Sequence, residues 1–153
     1  MIITVDDFVP NFEEILEESK GNLFSDIPYG GGVFPSISPG VRPWAYLLFE
    51  THLGFPVVPV IDYLRKYYKG VPQPSYIHED SAIAKYTAVL SMRDDNGGLA
   101  FWLHDTVFKE IEFKKNRCVI YDASIFHSRT PEHWDQDEPR FVHVFFFNPK
   151  EAA

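Results

Sequence analysis

Two short motifs in this chain of 153 residues set a histidine and an aspartate two positions apart, His78-Glu79-Asp80 and His133-Trp134-Asp135. In an extended segment residues i and i+2 point the same way, so the imidazole and carboxylate of either pair can reach one ion while the residue between them faces elsewhere. Two imidazoles and one carboxylate on one face of a metal, with three adjacent positions open, form the ligand set of iron(II) oxygen chemistry. His-x-Asp supplies two of those ligands and leaves the third to a distant strand. The motif alone is weak, because six histidines and eleven aspartates in this length give roughly 0.4 such pairs by chance. The His133 pair lies in the polar, proline-flanked stretch 131–139, and the only later histidine, His143, is too close to stand on an independent strand. It reads as a surface-loop coincidence, which leaves His78 and Asp80.

Other chemistry-bearing residues have plainer readings. His52 and His143 read as surface or satisfied-core imidazoles; His104 adjoins Asp105, but neighbours on a strand face opposite sides, so the two do not chelate together, though His104 could still line a pocket. Cys118 is the single cysteine, sits in an apolar run and reads as a buried, inert thiol. Phe145, Phe146 and Phe147 in succession imply a strand buried on both faces.

The elements that must position these residues follow from pattern. The length fits one domain spanning 1–153. A 45% hydrophobic, 24% charged composition is globular, and 16% aromatics favours sheet. Residues 2–5 predict a strand, and 13–20 an amphipathic helix with acids early and Lys20 late. Residues 21–43, with Gly30-Gly31-Gly32 and four prolines, predict an ordered loop, whose 30–40 part could be a lid or a simple connection. A second helix is predicted over 57–68, ending at Gly70. Short apolar or alternating runs at 84–92, 99–103, 107–113, 117–122 and 141–148 predict strands, with a hairpin turn at 94–98 and a weaker one at 114–116. The expectation is a helical N-terminal part to about residue 74, then a β-barrel core over about 75–149.

A net charge of -8 without a Lys/Arg cluster lacks the footprint of a nucleic-acid surface and weakly disfavours anionic substrates. No apolar stretch reaches membrane-spanning length and the N-terminus lacks a signal-like pattern, so a soluble, cytoplasmic protein with no membrane partner is expected.

Read in order, the chain gives Tyr76-Ile77-His78-Glu79-Asp80, an apolar strand, Gly97-Gly98-Leu99-Ala100-Phe101, the segment 116–122, Phe126-His127 and Arg140-Phe141-Val142. That order resembles the 2-oxoglutarate/iron(II)-dependent oxygenase superfamily, particularly its small prolyl-4-hydroxylase-like members, over residues 76–148. The resemblance implies a mainly β fold, a double-stranded β-helix of the jelly-roll or cupin type behind N-terminal helices. It implies iron(II) on His78, Asp80 and His127, with Arg140, thirteen residues after His127, as the anchor of the 2-oxoglutarate C5 carboxylate. At the rim of a dry barrel a bidentate guanidinium–carboxylate pair is worth most. Some relatives carry Ser or Thr two residues after the basic residue, where Val142 stands here, so the second anchor is open, with Tyr76 and Tyr86 as candidates. The implied activity is hydroxylation of a C–H bond in a peptide or small molecule, using O2 and 2-oxoglutarate, releasing succinate and CO2, with ascorbate as a further cofactor. Superfamily halogenases lack the carboxylate ligand, so Asp80 favours hydroxylation. The alternatives are a cupin-type metalloenzyme that does not use 2-oxoglutarate, in which Arg140 has no assigned role, and a non-catalytic β-barrel binding module.

Overall fold

The structure, a computed structural model, describes residues 1–29, 32–70, 77–131 and 134–151, with the backbone alone for 27–29 and 32–36. Its elements in chain order are β1 (Ile2–Val5), α1 (Phe12–Lys20), β2 (Ser25–Tyr29), β3 (Gly32–Gly40), α2 (Pro43–Leu53), β4 (Val57–Tyr67), β5 (Tyr86–Ser91), β6 (Gly98–Leu103), β7 (Thr106–Glu112), β8 (Cys118–Asp122), β9 (Phe126–Thr130) and β10 (Arg140–Pro149). Two antiparallel sheets result, a large one in the order β1-β8-β5-β10-β4-β3-β2 and a small one in the order β7-β6-β9. His78 adds a single bridge to His127 at the open edge of β9. This is the expected mainly β double-stranded β-helix. Among the described residues no helix is long and apolar enough to cross a membrane.

Strand alternation sorts the core into two layers. On β10, Phe141, Phe145 and Phe147 pack with Phe49, Tyr46 and Phe12 from the helices, while Val142, Val144 and Phe146 pack between the sheets with Phe101, Tyr121 and Phe113. The run of three phenylalanines therefore feeds both layers, as a doubly buried strand must. Cys118 is fully buried on the helix side, and burial pushes its thiol up.

The sequence reading places several elements wrongly. Residues 57–68 form β4 rather than a helix. Val57, Val58, Val60 and Ile61 are β-branched, and β4 pairs along its whole length with β10. Pro59, which lacks a ladder donor, sits where the β10 register shifts between Phe146 and Phe147. The second helix instead covers Pro43–Leu53. Pro43 opens it at the first-turn position where a missing N–H costs nothing, and Gly54 closes it at φ 83°. The stretch read as a loop holds β2 and β3, and β3 joins β4 through Ile37–Gly40. The N-terminal part thus supplies β1 to β4 to the large sheet rather than forming a helical unit.

The glycine turn at 94–98 joins β5 of the large sheet to β6 of the small one, and 114–116 carries the chain back, so both are crossovers rather than hairpin turns. A tight hairpin joins β6 to β7, turned by His104 and Asp105 with His104 at φ 58°. His104 is exposed there and lines no interior pocket.

Candidate metal centre

His78 and His127 exchange both backbone hydrogen bonds, at 3.0 and 2.8 Å, which places their side chains on one face of the small sheet with ring centroids 4.4 Å apart. The Asp80 N–H donates to the Ala123 carbonyl at 2.7 Å, fixing the second ligand of the His-x-Asp motif against the turn that leads into β9. Asp80 bridges the two rings. Its Oδ1 lies 3.5 Å from His78 Nε2 and its Oδ2 lies 3.3 Å from His127 Nε2. One ligand atom from each of the three falls within 4.8 Å of the others. Two ligands about 2.1 Å from an ion and at right angles to it would lie ~3 Å apart, so His78, Asp80 and His127 are the residues that would hold a metal here.

The tautomer also fits. His127 Nδ1 sits 2.9 Å from the Ile125 carbonyl, an acceptor, so Nδ1 carries the proton and Nε2 presents its lone pair to the ion. Tyr121 packs edge-on against His127 with centroids 5.1 Å apart. Exposure is graded: the side chains of His127, Asp80 and His78 are 6%, 13% and 34% exposed, so the site opens to solvent on the His78 side. Glu79 turns away, its carboxylate accepting from the Ser81 N–H at 2.9 Å.

Arg140 opens β10 on the interior parity of Val142, Val144 and Phe146, yet its fork is already engaged. Nε donates to Asp95 Oδ2 at 3.1 Å, and Nη2 donates to Asp95 Oδ1 at 3.2 Å and to the Thr130 carbonyl at 2.7 Å. The rings of Phe113 and Trp134 cover its guanidinium at 4.9 and 4.7 Å. The bidentate pair expected with an external carboxylate is made with Asp95. Gly97 is required at this junction, because a Cβ would strike the Thr130 carbonyl and Arg140 Nη2.

Tyr86 shares the parity of Ala88 and Leu90, so it faces the helices, stacked on Phe147 and tilted on Phe55. It is not at the centre. Tyr76 and His133 lie outside the described residues.

The sequence reading missed three interior residues of β4, namely Tyr63, Arg65 and Tyr67, and Arg129 on β9. Arg65 and Arg129 place their guanidinium carbons 4.4 and 4.3 Å from the Tyr67 ring centroid. Burial pushes the Tyr63 hydroxyl well up, with Asp80 among the charges it feels. Burial also acts upward on Tyr67, but Arg129, Arg65 and a hydrogen bond from Arg129 outweigh it and hold that hydroxyl below the usual phenol value. The signal was present as the alternation Tyr63-x-Arg65-x-Tyr67, which the helical reading hid.

No family model and no curated protein sequence matches the chain. Solved structures do. The chain is similar to the non-heme alpha ketoglutarate dependent epimerase SnoN from nogalamycin biosynthesis, at 15% identity and a TM-score of 0.70, covering 95% of this chain and 76% of that one. It is similar to EctD from S. alaskensis, solved with 2-oxoglutarate and 5-hydroxyectoine, at 11% identity and a TM-score of 0.70, covering 97% and 72%. HygX from Streptomyces hygroscopicus, solved with iron, matches at 11% identity and a TM-score of 0.64, covering 97% and 82%. The chain has the fold of these iron and 2-oxoglutarate proteins, and it carries a His-Asp-His group able to hold a metal.

Proposed function

We propose that the protein is an iron(II)- and 2-oxoglutarate-dependent oxygenase that oxidises a C–H bond of a small molecule or short peptide. The observation that carries the reading is the His78–Asp80–His127 triad, assembled by backbone pairing at the edge of the small sheet of a double-stranded β-helix. Iron(II) held there would couple oxidative decarboxylation of 2-oxoglutarate by O2 to oxidation of the substrate. In the hydroxylating form, R–H, O2 and 2-oxoglutarate give R–OH, succinate and CO2. The chain's residues bind and orient. Asp80 supplies the anionic ligand, His127 is fixed in its tautomer by the Ile125 carbonyl, and Tyr121 and Phe101 shield the inner side of that ring from water. Arg140 contributes positive charge to the interior, with Nη1 as the edge not spent on Asp95 or Thr130.

The small-molecule reading is supported by the neighbours, since EctD is solved with 5-hydroxyectoine and SnoN with nogalamycin RO. The prolyl-4-hydroxylase-like subtype has no comparable support.

The test is succinate formation from 2-oxoglutarate with and without iron(II). Metal-dependent turnover is expected, coupled or uncoupled, and Asp80→Ala should abolish it while His133→Ala leaves it intact. Absence of both iron affinity and turnover in the wild type would sink the reading. Mass analysis of the coupled product separates hydroxylation, which adds one oxygen atom, from desaturation or cyclisation, which removes two hydrogens, and from epimerisation, which changes neither.

A further inference from the structure

Where β8 ends and β5 begins, with Asp122 paired to Tyr86 and Tyr86 to Phe147 of β10, the surface opens into a cleft of about 420 Å³ that none of the three candidate metal ligands lines. Ala84 and Ile83 give it an apolar wall, and Lys85, Asp122, Ser124 and Asn148 give it polar groups. Its volume lies in the range of small-molecule sites.

The polar lining is one-sided in its chemistry. Asn148 Oδ1 accepts from the Lys85 N–H at 2.8 Å, which leaves the amide NH2 as the end that donates. The Lys85 ammonium stands 5.7 Å from the Tyr86 ring centroid. Among the described residues it makes no hydrogen bond, and neither do the Ser124 hydroxyl and the Asn148 NH2. The acid of the lining, Asp122, already holds the Met1 terminal amine on Oδ2 at 2.8 Å. In a chain of net charge -8 the cleft thus gathers three donors, one of them cationic, beside an acid that has its counter-ion. Such a set complements a small anion.

The same residues carry main-chain bonds that hold the metal ligands. The Lys85 carbonyl accepts from the Ala123 N–H at 2.9 Å, and the Ala123 carbonyl accepts from the Asp80 N–H. The Asp122 carbonyl accepts from the Ile125 N–H at 3.0 Å, and the Ile125 carbonyl faces His127 Nδ1. Two short chains of hydrogen bonds therefore run from the cleft to Asp80 and His127.

We propose that the cleft is an effector site for a small carboxylate, bound by the Lys85 ammonium, the Ser124 hydroxyl and the Asn148 NH2, and that its occupation tightens the metal centre. Ordering Lys85 and Ser124 narrows the motion of the peptides behind Asp80 and His127, so less freedom is left for the metal to remove. Binding in the cleft stands apart from the metal, and the coupling rests on the metal reading above.

The experiment titrates propionate, and propionamide as its neutral counterpart, into the zinc(II)-loaded protein while the amide NMR signals of Lys85, Ser124 and Asn148 are followed. Zinc(II) affinity is then measured against a chromophoric chelator with and without saturating propionate. Propionate should shift those signals saturably, propionamide should not, and propionate should raise metal affinity about fivefold or more. Lys85→Met and Asn148→Asp should each weaken propionate binding about tenfold or more and abolish that gain. Asn148→Asp keeps the acceptor for the Lys85 N–H, and an unchanged melting temperature checks the fold of both variants. Equal shifts with propionamide, or none with propionate, overturn the site. Saturable binding without a change in metal affinity overturns the coupling, as does a gain that persists in both variants, which marks propionate acting on the ion itself. A wild-type protein that takes up no zinc(II) overturns the metal reading and the coupling with it, and the amide shifts, which need no metal, still decide the site.

Discussion

Asp95 occupies on Arg140 the fork that the family resemblance reserves for an external carboxylate, and the exchange has an energetic signature. The side chains of Asp95 and Arg140 are 1% and 2% exposed, so neither charge is hydrated and each depends on the other. Removing one partner of such a pair strands a buried charge at a cost of about 3–5 kcal/mol. Asp95→Asn should therefore lower the unfolding free energy in urea by about that much, far more than loss of the exposed pair Lys69–Asp137, for which no measurable change is expected. Gly97→Ala should destabilise by a different route, forcing the added methyl against the Thr130 carbonyl and Arg140 Nη2 and moving the backbone. His78 and Asp80 of the candidate metal group were legible at this scale because His-x-Asp needs only period-two geometry, whereas His127 came with the family resemblance. The pairing of Arg140 was not, because Asp95 reaches it from a crossover that sequence pattern presents as an ordinary glycine turn.

Between elements, a buried polar junction lies on the helix side of the large sheet. Asp62 on β4 accepts from Arg42 Nη1 and from the Arg42 backbone N–H at 2.6 and 2.7 Å, from Tyr46 at 3.0 Å, and from His143 Nε2 at 2.8 Å, tying the start of α2 to β4 and β10. Burial holds the His143 imidazole well down, to about 4, against an ordinary value near 6.5, so it is neutral when it donates to Asp62. Between those two values the unfolded chain binds a proton that the folded one refuses, so this junction loses stability as pH falls through the window. Asp62 adds to the loss at lower pH. Although burial opposes it, the hydrogen bonds of His143 and Arg42 hold its carboxyl below the usual range, and its stabilisation disappears as it is protonated. His143→Gln, which keeps a neutral donor and removes the titrating ring, should flatten the melting temperature between about pH 6.5 and 4 relative to wild type. This junction was invisible in the sequence because it depends on β4 being a strand. Read as a helix, residues 57–68 spread their side chains around an axis. Read with period two, Asp62 and Leu64 fall on the helix side, and Tyr63, Arg65 and Tyr67 fall inside.

For the whole molecule the metal is expected to add stability without being needed for the fold. The two core layers close around Phe145, Phe147 and Phe49 on one side and Phe101, Tyr121 and Phe146 on the other, none of which depends on an ion. Metal-free protein should retain its near-ultraviolet circular dichroism. Iron(II) or manganese(II) at about 100 times its dissociation constant should add about 2.7 kcal/mol, raising the melting temperature by roughly 5–10 °C for a chain of this length. Collapse of the tertiary signal on chelation would contradict that view. The mainly β architecture was readable from the regular short strands of the second half. The true extent of the large sheet was not, since three of its seven strands, β2, β3 and β4, come from stretches that pattern presents as loop and helix. The reciprocal main-chain bonds between His78 and His127, with the Asp80 N–H on Ala123, have one further consequence. The three positions are fixed by peptide groups that every amino acid except proline possesses, so the geometry of the socket does not depend on what is plugged into it. Ligand side chains can then be exchanged for others, and the chosen ion with them, while the surrounding strands keep their places.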